Sequence, residues 1–131
     1  PLHVEILYNE YDFTAAFAQV DLVLMPTAQL EGFGLVTVEA LACGTPVVGT
    51  PVGAIPEVLN QIDPVLIASG ADSPAFADAL GRVLSRLEEP VERERLSKKG
   101  RSLVERRYNW VQHCADLIRL SSSPASERKA A

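Results

Sequence analysis

Short apolar runs alternate with segments of helical periodicity over the first half of the chain. Runs of three to five β-prone residues that stop at a turn residue are typical of buried strands. Such runs predict strands at Leu22–Met25, Pro46–Gly49 and Val65–Ala68, and the alternating, β-prone residues Val4–Tyr8 predict a fourth strand. The intervening segments predict three helices, at Tyr11–Val20, Gly34–Cys43 and Ile55–Asn60. This alternation predicts an α/β fold built on a parallel sheet.

The second half of the chain has helical periodicity only. One helix is predicted from a cap at Ser73, with an apolar stripe of Phe76, Leu80, Val83, Leu84 and Leu87. A second is predicted over Glu92–Tyr108, with only Leu96, Leu103 and Val104 to bury, and a third over Trp110–Leu120, packed through Trp110. We expect residues 1–120 to form the domain and residues 121–131 a disordered tail.

Composition and charge exclude some classes of function for this chain. A chain of 131 residues is typical of one domain, and its net charge of −5 is unevenly spread. Residues 1–81 carry ten acidic side chains and no Lys or Arg, which excludes docking of nucleic acid on this part through side-chain cations. No apolar run predicts a transmembrane segment or a secretory signal. The two cysteines, Cys43 and Cys114, provide no disulfide framework, so a cytoplasmic location is expected.

The segment after Leu22–Met25 is where candidate chemistry is expected, because ligands of parallel sheets lie beyond the carboxyl ends of the strands. It reads Glu31-Gly32-Phe33-Gly34-Leu35 and leads into the predicted helix. Glycines at a helix start let the backbone approach a ligand, and the free amides there favour an anion. This backbone site is the main local means of holding a phosphate. The alternative is that the glycines serve only a tight turn.

Two glutamates accompany this turn. Glu39 has only apolar neighbours one helical turn away on either side, namely Leu35, Val36, Ala42 and Cys43. A buried, unpaired carboxylate would cost several kcal/mol, so Glu39 either meets donors such as the two hydroxyls of a ribose or occupies the one solvated side of the helix. Glu31 precedes the helix, where the helix dipole favours a negative charge, and its functional interpretation is an acceptor for sugar hydroxyls.

These residues resemble the donor-binding half of glycosyltransferase family 4, whose members are retaining enzymes of the GT-B architecture. The resemblance rests on Val20–Pro26, on the pair Glu31 and Glu39, which matches the E-x7-E motif, and on Gly44–Val48. The segments Pro51–Leu59 and Arg101–Trp110 resemble the family's next loop and its C-terminal helices. The resemblance implies a Rossmann-like parallel sheet, part of a GT-B C-terminal domain, followed by C-terminal helices.

The family also implies a role for each residue of the motif. Glu31 would bind hydroxyls of the transferred sugar and act as the catalytic positioning group. The backbone of Gly32, Phe33, Gly34 and Leu35 would contact the sugar and diphosphate, and Glu39 would bind the ribose. The implied donor is a nucleoside diphosphate sugar, with no cofactor and no metal required by the visible motif. The sequence does not identify the acceptor.

The sequence departs from the family in three respects. Gly53-Ala54 stands where many members have two glycines. The family's first two donor-domain strands, with an Arg and a Lys that hold the diphosphate, have no counterpart here, and neither has the acceptor domain. We therefore expect the missing half-domain to lie in the same or another chain. Otherwise the sheet closes up, or it borrows strands from a second copy in a homo-oligomer. The isolated chain is expected to be inactive.

Two other function classes remain open at this point. One is a non-catalytic or split-subunit module derived from a glycosyltransferase, which an upstream gene without the Arg- and Lys-bearing half would favour. The other is a doubly wound phosphoacceptor regulator. That class needs clustered acidic residues and a lysine at the strand ends, and the first lysine of this chain is Lys98.

Overall fold

The computed structural model describes residues 13–122. The elements in chain order are α1 (Thr14–Ala18), β1 (Val23–Met25), α2 (Leu35–Ala42), β2 (Val47–Gly49), α3 (Ile55–Leu59), α4 (Ser73–Leu87), α5 (Pro90–Arg107) and α6 (Trp110–Ser122). None of the helices in this range combines the length and the hydrophobicity needed to cross a bilayer. The strand predicted at Val4–Tyr8 lies outside the described residues, and so does the start of the helix predicted at Tyr11–Val20.

The two strands pair in parallel, as the alternating pattern predicts. Val23 lies opposite Val47, and Met25 lies opposite Gly49. Helix α2 connects them, and β2 is buried along its whole length. Parallel pairing through a helical crossover is the βαβ unit of α/β folds. The described part of the chain therefore confirms the parallel sheet.

The prediction of a strand at Val65–Ala68 is wrong. Pro64–Leu66 forms a turn of 3₁₀ helix, and a single parallel bridge between Gly49 and Ile67 is all that joins this segment to β2. The carboxylate of Asp63 accepts a hydrogen bond from the amide of Val65 at 3.0 Å. Together with the fixed φ of Pro64, this local bond favours the turn over an extended strand.

The three C-terminal helices occur where periodicity predicts them, with three corrections. Asp72, not Ser73, caps α4, because its carboxylate accepts from the amide of Ala75 at 2.9 Å. Helix α6 continues to Ser122, two residues beyond its predicted end at Leu120. Trp110 does not pack into the domain: it is 74% exposed, and its ring contacts only that of His113 among the described aromatic residues.

The hydrophobic core lies between α2, β2, α3 and the helices α4 and α5. Leu41 of α2 is buried against α5, where a methyl group built on Gly100 would lie 2.7 Å from its Cδ2 atom. The other buried residues of α5 are Leu96, Leu103 and Val104, the three that the sequence predicts. Helix α5 therefore holds the inner face of α2 on the sheet.

An ion-pair network joins the turn at Asp63 to α4 and α5. The Asp63 carboxylate accepts from Arg95 at 2.7 Å and from Arg86 at 3.1 Å, and Arg95 also contacts Glu92. Burial raises the pKa of Asp63, but the amide of Val65 and the two guanidinium groups outweigh it, so the pKa lies below its ordinary value of 3.8.

We expect this network to make the fold sensitive to acid. Because the folded-state pKa of Asp63 is depressed, its contribution is complete above the unfolded pKa of about 3.9 and is lost as the pH falls through the folded value. Asp63→Asn should therefore flatten the decline of unfolding free energy below about pH 4. Urea unfolding between pH 7 and pH 3 measures this. Asp78→Asn removes a more exposed carboxylate and is the control; an equal slope in wild type and Asp63→Asn would contradict the assignment.

Candidate functional site

The glycine turn begins α2 in a conformation that requires glycine. Gly34 is the N-cap residue, with φ 74° and ψ 52°, and its carbonyl accepts from the amide of Thr37 at 2.9 Å. A residue with a Cβ atom is strained in this left-handed region. The first amides of a helix have no partner within it. In α2 they belong to Leu35 and Val36, which are 63% and 42% exposed.

An open recess lies beside this helix start. Its volume is about 330 Å³, and it is lined by Met25, Glu31, Phe33, Gly34, Leu35 and Val36. Met25 is the last residue of β1, so the recess is at the carboxyl end of that strand, as predicted. The half-buried Glu31 is the one ionisable group in this lining. The recess thus brings together a carboxylate, the residues that carry the first amides of α2, and apolar walls.

The loop before α3 packs against the backbone of Glu31. Gly53 has φ 58°, and a methyl group built on it would lie 2.3 Å from the carbonyl oxygen of Glu31. The amide of Ala54 donates to the carbonyl of Gly32 at 3.2 Å. Gly53 therefore matters in this structure through its contact with the turn, and the loop fixes the position from which Glu31 projects.

Phe33 connects the turn to the C-terminal helices. Its ring meets that of Tyr108 edge to face, with 5.5 Å between the centroids. Tyr108 is the residue that follows α5. Gly32, by contrast, is exposed, and a methyl group on it would contact nothing within 4 Å. The turn is thus supported from one side by α5 and from the other by the loop at Gly53.

Glu39 lies outside the recess, on the exposed face of α2. Its neighbours Leu35 and Val36 are themselves exposed, so the apolar residues around Glu39 do not bury it. Of the two alternatives that the sequence leaves open, the structure shows the solvated one. Leu35, Val36 and Glu39 nevertheless lie on one face of the helix. Glu39 is one helical turn from Leu35 at the helix start, a distance of about 6 Å along the axis.

Tyr108, Thr37 and the contact of Gly53 with Glu31 were not predicted from the sequence, where Gly53 stands out only as part of a departure from the family. Gly53 and Tyr108 reach the turn through contacts distant in sequence, which local patterns do not reveal. Thr37 could have been singled out from the sequence, because Thr37 and Glu39 are the two polar residues in Leu35–Ala42. It is fully buried, and its Oγ1 atom has no hydrogen-bond partner among the described residues.

No Lys or Arg lines the recess. The chain has no Lys or Arg before Arg82. Within residues 13–122, no group of three or more His, Cys, Asp or Glu side chains is placed to hold a metal ion. An anion at the recess would therefore meet helix amides and the dipole of α2.

Comparisons with known proteins identify relatives over most of the chain. Residues 3–86 match the family described as Glycosyl transferases group 1. The chain is 33% identical over 112 residues to a D-inositol 3-phosphate glycosyltransferase from Corynebacterium urealyticum, covering 86% of this chain and 25% of that protein. It is 36% identical over 112 residues to a phosphatidyl-myo-inositol mannosyltransferase from Mycobacterium leprae, covering 86% and 29%. The chain thus spans about a quarter of the length of these relatives.

Solved structures show the same fold. Sucrose-phosphate synthase from Thermosynechococcus elongatus superposes with a TM-score of 0.70 at 29% identity, over 83% of this chain and 26% of that chain. The C-terminal domain of a group 1 glycosyl transferase from Francisella tularensis superposes with a TM-score of 0.63 at 24% identity, over 82% and 53%. These similarities confirm the predicted fold class, a Rossmann-like part of a GT-B C-terminal domain.

Proposed function

Because the chain belongs to the Glycosyl transferases group 1 family, we propose that it forms part of the donor site of a retaining glycosyltransferase. The donor in this proposal is a nucleoside diphosphate sugar, and the sugar passes to an acceptor bound by another part of the protein. The relatives from Corynebacterium urealyticum and Mycobacterium leprae, a glycosyltransferase and a mannosyltransferase, support the reaction class.

The observation that carries this proposal is the arrangement of the exposed face of α2. The first amides of α2, those of Leu35 and Val36, suit a diphosphate, since a helix start favours anions. Glu39 lies one helical turn further along the same face, about 6 Å away. That span is comparable with the separation of the phosphates and the ribose in a nucleoside diphosphate. One ligand can therefore contact the amides through its phosphates and Glu39 through its ribose hydroxyls.

Glu31 completes the arrangement on the other side of the diphosphate. It lines the recess at the start of α2, where the sugar of such a donor would lie. A carboxylate there accepts hydrogen bonds from sugar hydroxyls and orients the sugar for substitution on the face from which the diphosphate leaves. Catalysis by this route depends on positioning and on stabilisation of the leaving group. Glu31 is the catalytic residue in this proposal.

The remaining phosphate contacts are proposed to come from outside this chain or this segment. The recess has no Lys or Arg in its lining, so its own contacts to a diphosphate would be backbone donors. We expect the isolated chain to bind nucleoside diphosphates weakly and to transfer no sugar, and a partner half-domain or a second copy to complete the site. The proposed setting is the cytoplasm, where nucleotide sugars would be available.

Calorimetry with UDP, GDP and ADP tests the role of Glu39. Glu39→Ala should weaken the affinity for the nucleoside diphosphate that binds by about tenfold, since it removes hydrogen bonds to a charged acceptor at an exposed site. Glu105→Ala removes an exposed glutamate from α5 and is the matched control for net charge. Equal affinities for Glu39→Ala and Glu105→Ala would contradict the proposed ribose contact.

The second candidate is a non-catalytic or split-subunit module derived from such an enzyme. The cation-free first part of the chain, residues 1–81, is the observation that favours this candidate over other function classes. Co-expression with a half-domain that carries Arg and Lys distinguishes the two. An enzyme gains transferase activity in the mixture, whereas a non-catalytic module forms a complex without activity.

A further inference from the structure

Helix α6 is weakly covered by the rest of the described structure. Within residues 13–122, no other element buries any of its 13 residues. An isolated helix of about this length is only marginally stable in water, because most helix stability in proteins comes from packing. We therefore expect α6 to acquire a packing partner.

The exposed apolar residues of α6 are arranged symmetrically about Cys114. Trp110 and Val111 precede Cys114 by four and three residues, and Leu117 and Ile118 follow it by three and four. At about 100° per residue, all four lie within about 60° of Cys114 around the helix axis, so the five residues form one apolar face. The four large side chains are each more than half exposed.

A face with this symmetry is complementary to itself. Two copies of α6 that cross antiparallel, with a two-fold axis at Cys114, bring Trp110 of one copy against Ile118 of the other. The same axis brings Val111 against Leu117. The small side chain at the axis allows the two helices to approach closely there, while the larger side chains fill the space on either side.

Charge favours a second copy of the chain over a lipid surface as the partner. The apolar face has no charged residue, so two copies bring no like charges together. Asp116 and Arg119 lie on the other side of the helix, 3.3 Å apart. Helices that lie in a membrane surface carry a polar face rich in Lys and Arg, whereas Arg119 is the one Lys or Arg in residues 110–122.

The exposed area is of the size that a weak dimer needs. The four large side chains expose about 500 Å² in each copy, so pairing removes about 1,000 Å² from water. Because this area is near the lower limit for a specific interface, we expect a dissociation constant of about 10–100 µM. Unfolding measured at about 1 µM chain therefore reports on the monomer.

The ends of the chain offer one alternative occupant. Residues 123–131 contain no Val, Leu, Ile, Met or aromatic residue and therefore supply no apolar surface to cover α6. Residues 1–12 do contain such residues, among them Val4, Ile6 and Leu7. A chain that covers α6 with its own first residues is a monomer, so the oligomeric state separates the two occupants.

We propose that the apolar face of α6 joins two copies of this chain in an antiparallel pair about Cys114. The pairing goes beyond the proposed function and does not depend on it, because no ligand takes part.

Sedimentation equilibrium of the full chain tests the pairing. Between about 1 and 300 µM, the mass of the wild type should rise from that of one chain towards that of two. Ile118→Glu places a charge in the apolar interface and should weaken association at least about tenfold. Leu120→Glu is the matched control, because it adds the same charge to the same helix about 200° away from Ile118. It should leave the dissociation constant within about twofold of the wild-type value.

Cross-linking tests the position of the two-fold axis. Helix axes about 8–10 Å apart leave about 4–5 Å between the Cα atoms at the crossing point, which suits a disulfide. Diamide oxidises two thiols to a disulfide and is itself reduced. In the Cys43→Ser chain it should therefore join two copies through Cys114. The Cys114→Ser chain, which keeps Cys43, should remain unlinked.

Three results would overturn the proposal. A wild-type chain that stays monomeric at about 300 µM would assign the apolar face to residues 1–12 or to a different protein. A dimer that survives Ile118→Glu would place the interface elsewhere, for example at the open edge of β1. A dimer that Ile118→Glu breaks but diamide does not link would contradict the two-fold axis at Cys114. None of these measurements involves a nucleotide, so failure here is distinguishable from failure of the proposed function.

Discussion

Gly53→Ala is expected to lower the free energy of unfolding by about 2–4 kcal/mol. Two costs combine at this position. The left-handed φ of 58° disfavours any residue with a Cβ atom, and the added methyl group would lie 2.3 Å from the Glu31 carbonyl oxygen. The loop must therefore move away from the turn, which also releases the backbone of Glu31. Denaturant unfolding measures the loss, and weaker nucleotide binding should accompany it.

Gly81→Ala is the matched control for this prediction. Gly81 lies inside α4, and a methyl group on it would contact nothing within 4 Å. Alanine is the better helix former by about 1 kcal/mol, so this substitution should stabilise the chain. Equal changes in stability for Gly53→Ala and Gly81→Ala would mean that the loop does not press against Glu31 as the structure shows.

Ile55→Ala is expected to cost about 3–4 kcal/mol, within the range for large-to-small substitutions in a core. Ile55 is fully buried at the start of α3. Its Cγ2 atom lies 2.5 Å from the place where a methyl group on Gly49 would be, so it packs closely on β2. Its Cγ1 atom faces Gly34 at the glycine turn. Truncation therefore leaves a cavity between the sheet and the candidate site.

Ile118→Ala provides the comparison for Ile55→Ala, because the same atoms are removed from a surface. Ile118 is 67% exposed on α6. Its substitution should change the free energy of unfolding by less than about 0.5 kcal/mol. A thermal or urea transition that moves as far for Ile118→Ala as for Ile55→Ala would show that α6 contributes a core that the structure does not contain.

The fold was predictable wherever local patterns decide it. The buried run at Val47–Gly49, the stop of α2 before Gly44 and the apolar stripe of α4 all depend on residues close in sequence. The prediction of a strand at Val65–Ala68 was wrong because the Asp63 carboxylate and Pro64 favour a turn, although the apolar residues after them are β-prone. The prediction that Trp110 packs was wrong for a different reason. A hydrophobic side chain is buried only where another element covers it.

The candidate site was predictable in part. The glycine turn and its two glutamates are local, and the helix start was expected to favour an anion. The burial of Glu39 could not be decided from its neighbours, because the pattern does not reveal which apolar face of α2 is covered. The contact of Gly53 with Glu31 and that of Tyr108 with Phe33 join distant segments. They are properties of the folded chain and not of any short stretch of sequence.

A nucleoside diphosphate is proposed to bind along the exposed face of α2. The direct test is a titration of the ¹⁵N-labelled chain with UDP, GDP and ADP, followed by amide chemical shifts. We predict that one of them moves the amides of residues 32–36 and Glu39 most, with α6 unaffected. Shifts confined to the arginines of α4 and α5, with the glycine turn unmoved, would contradict the account.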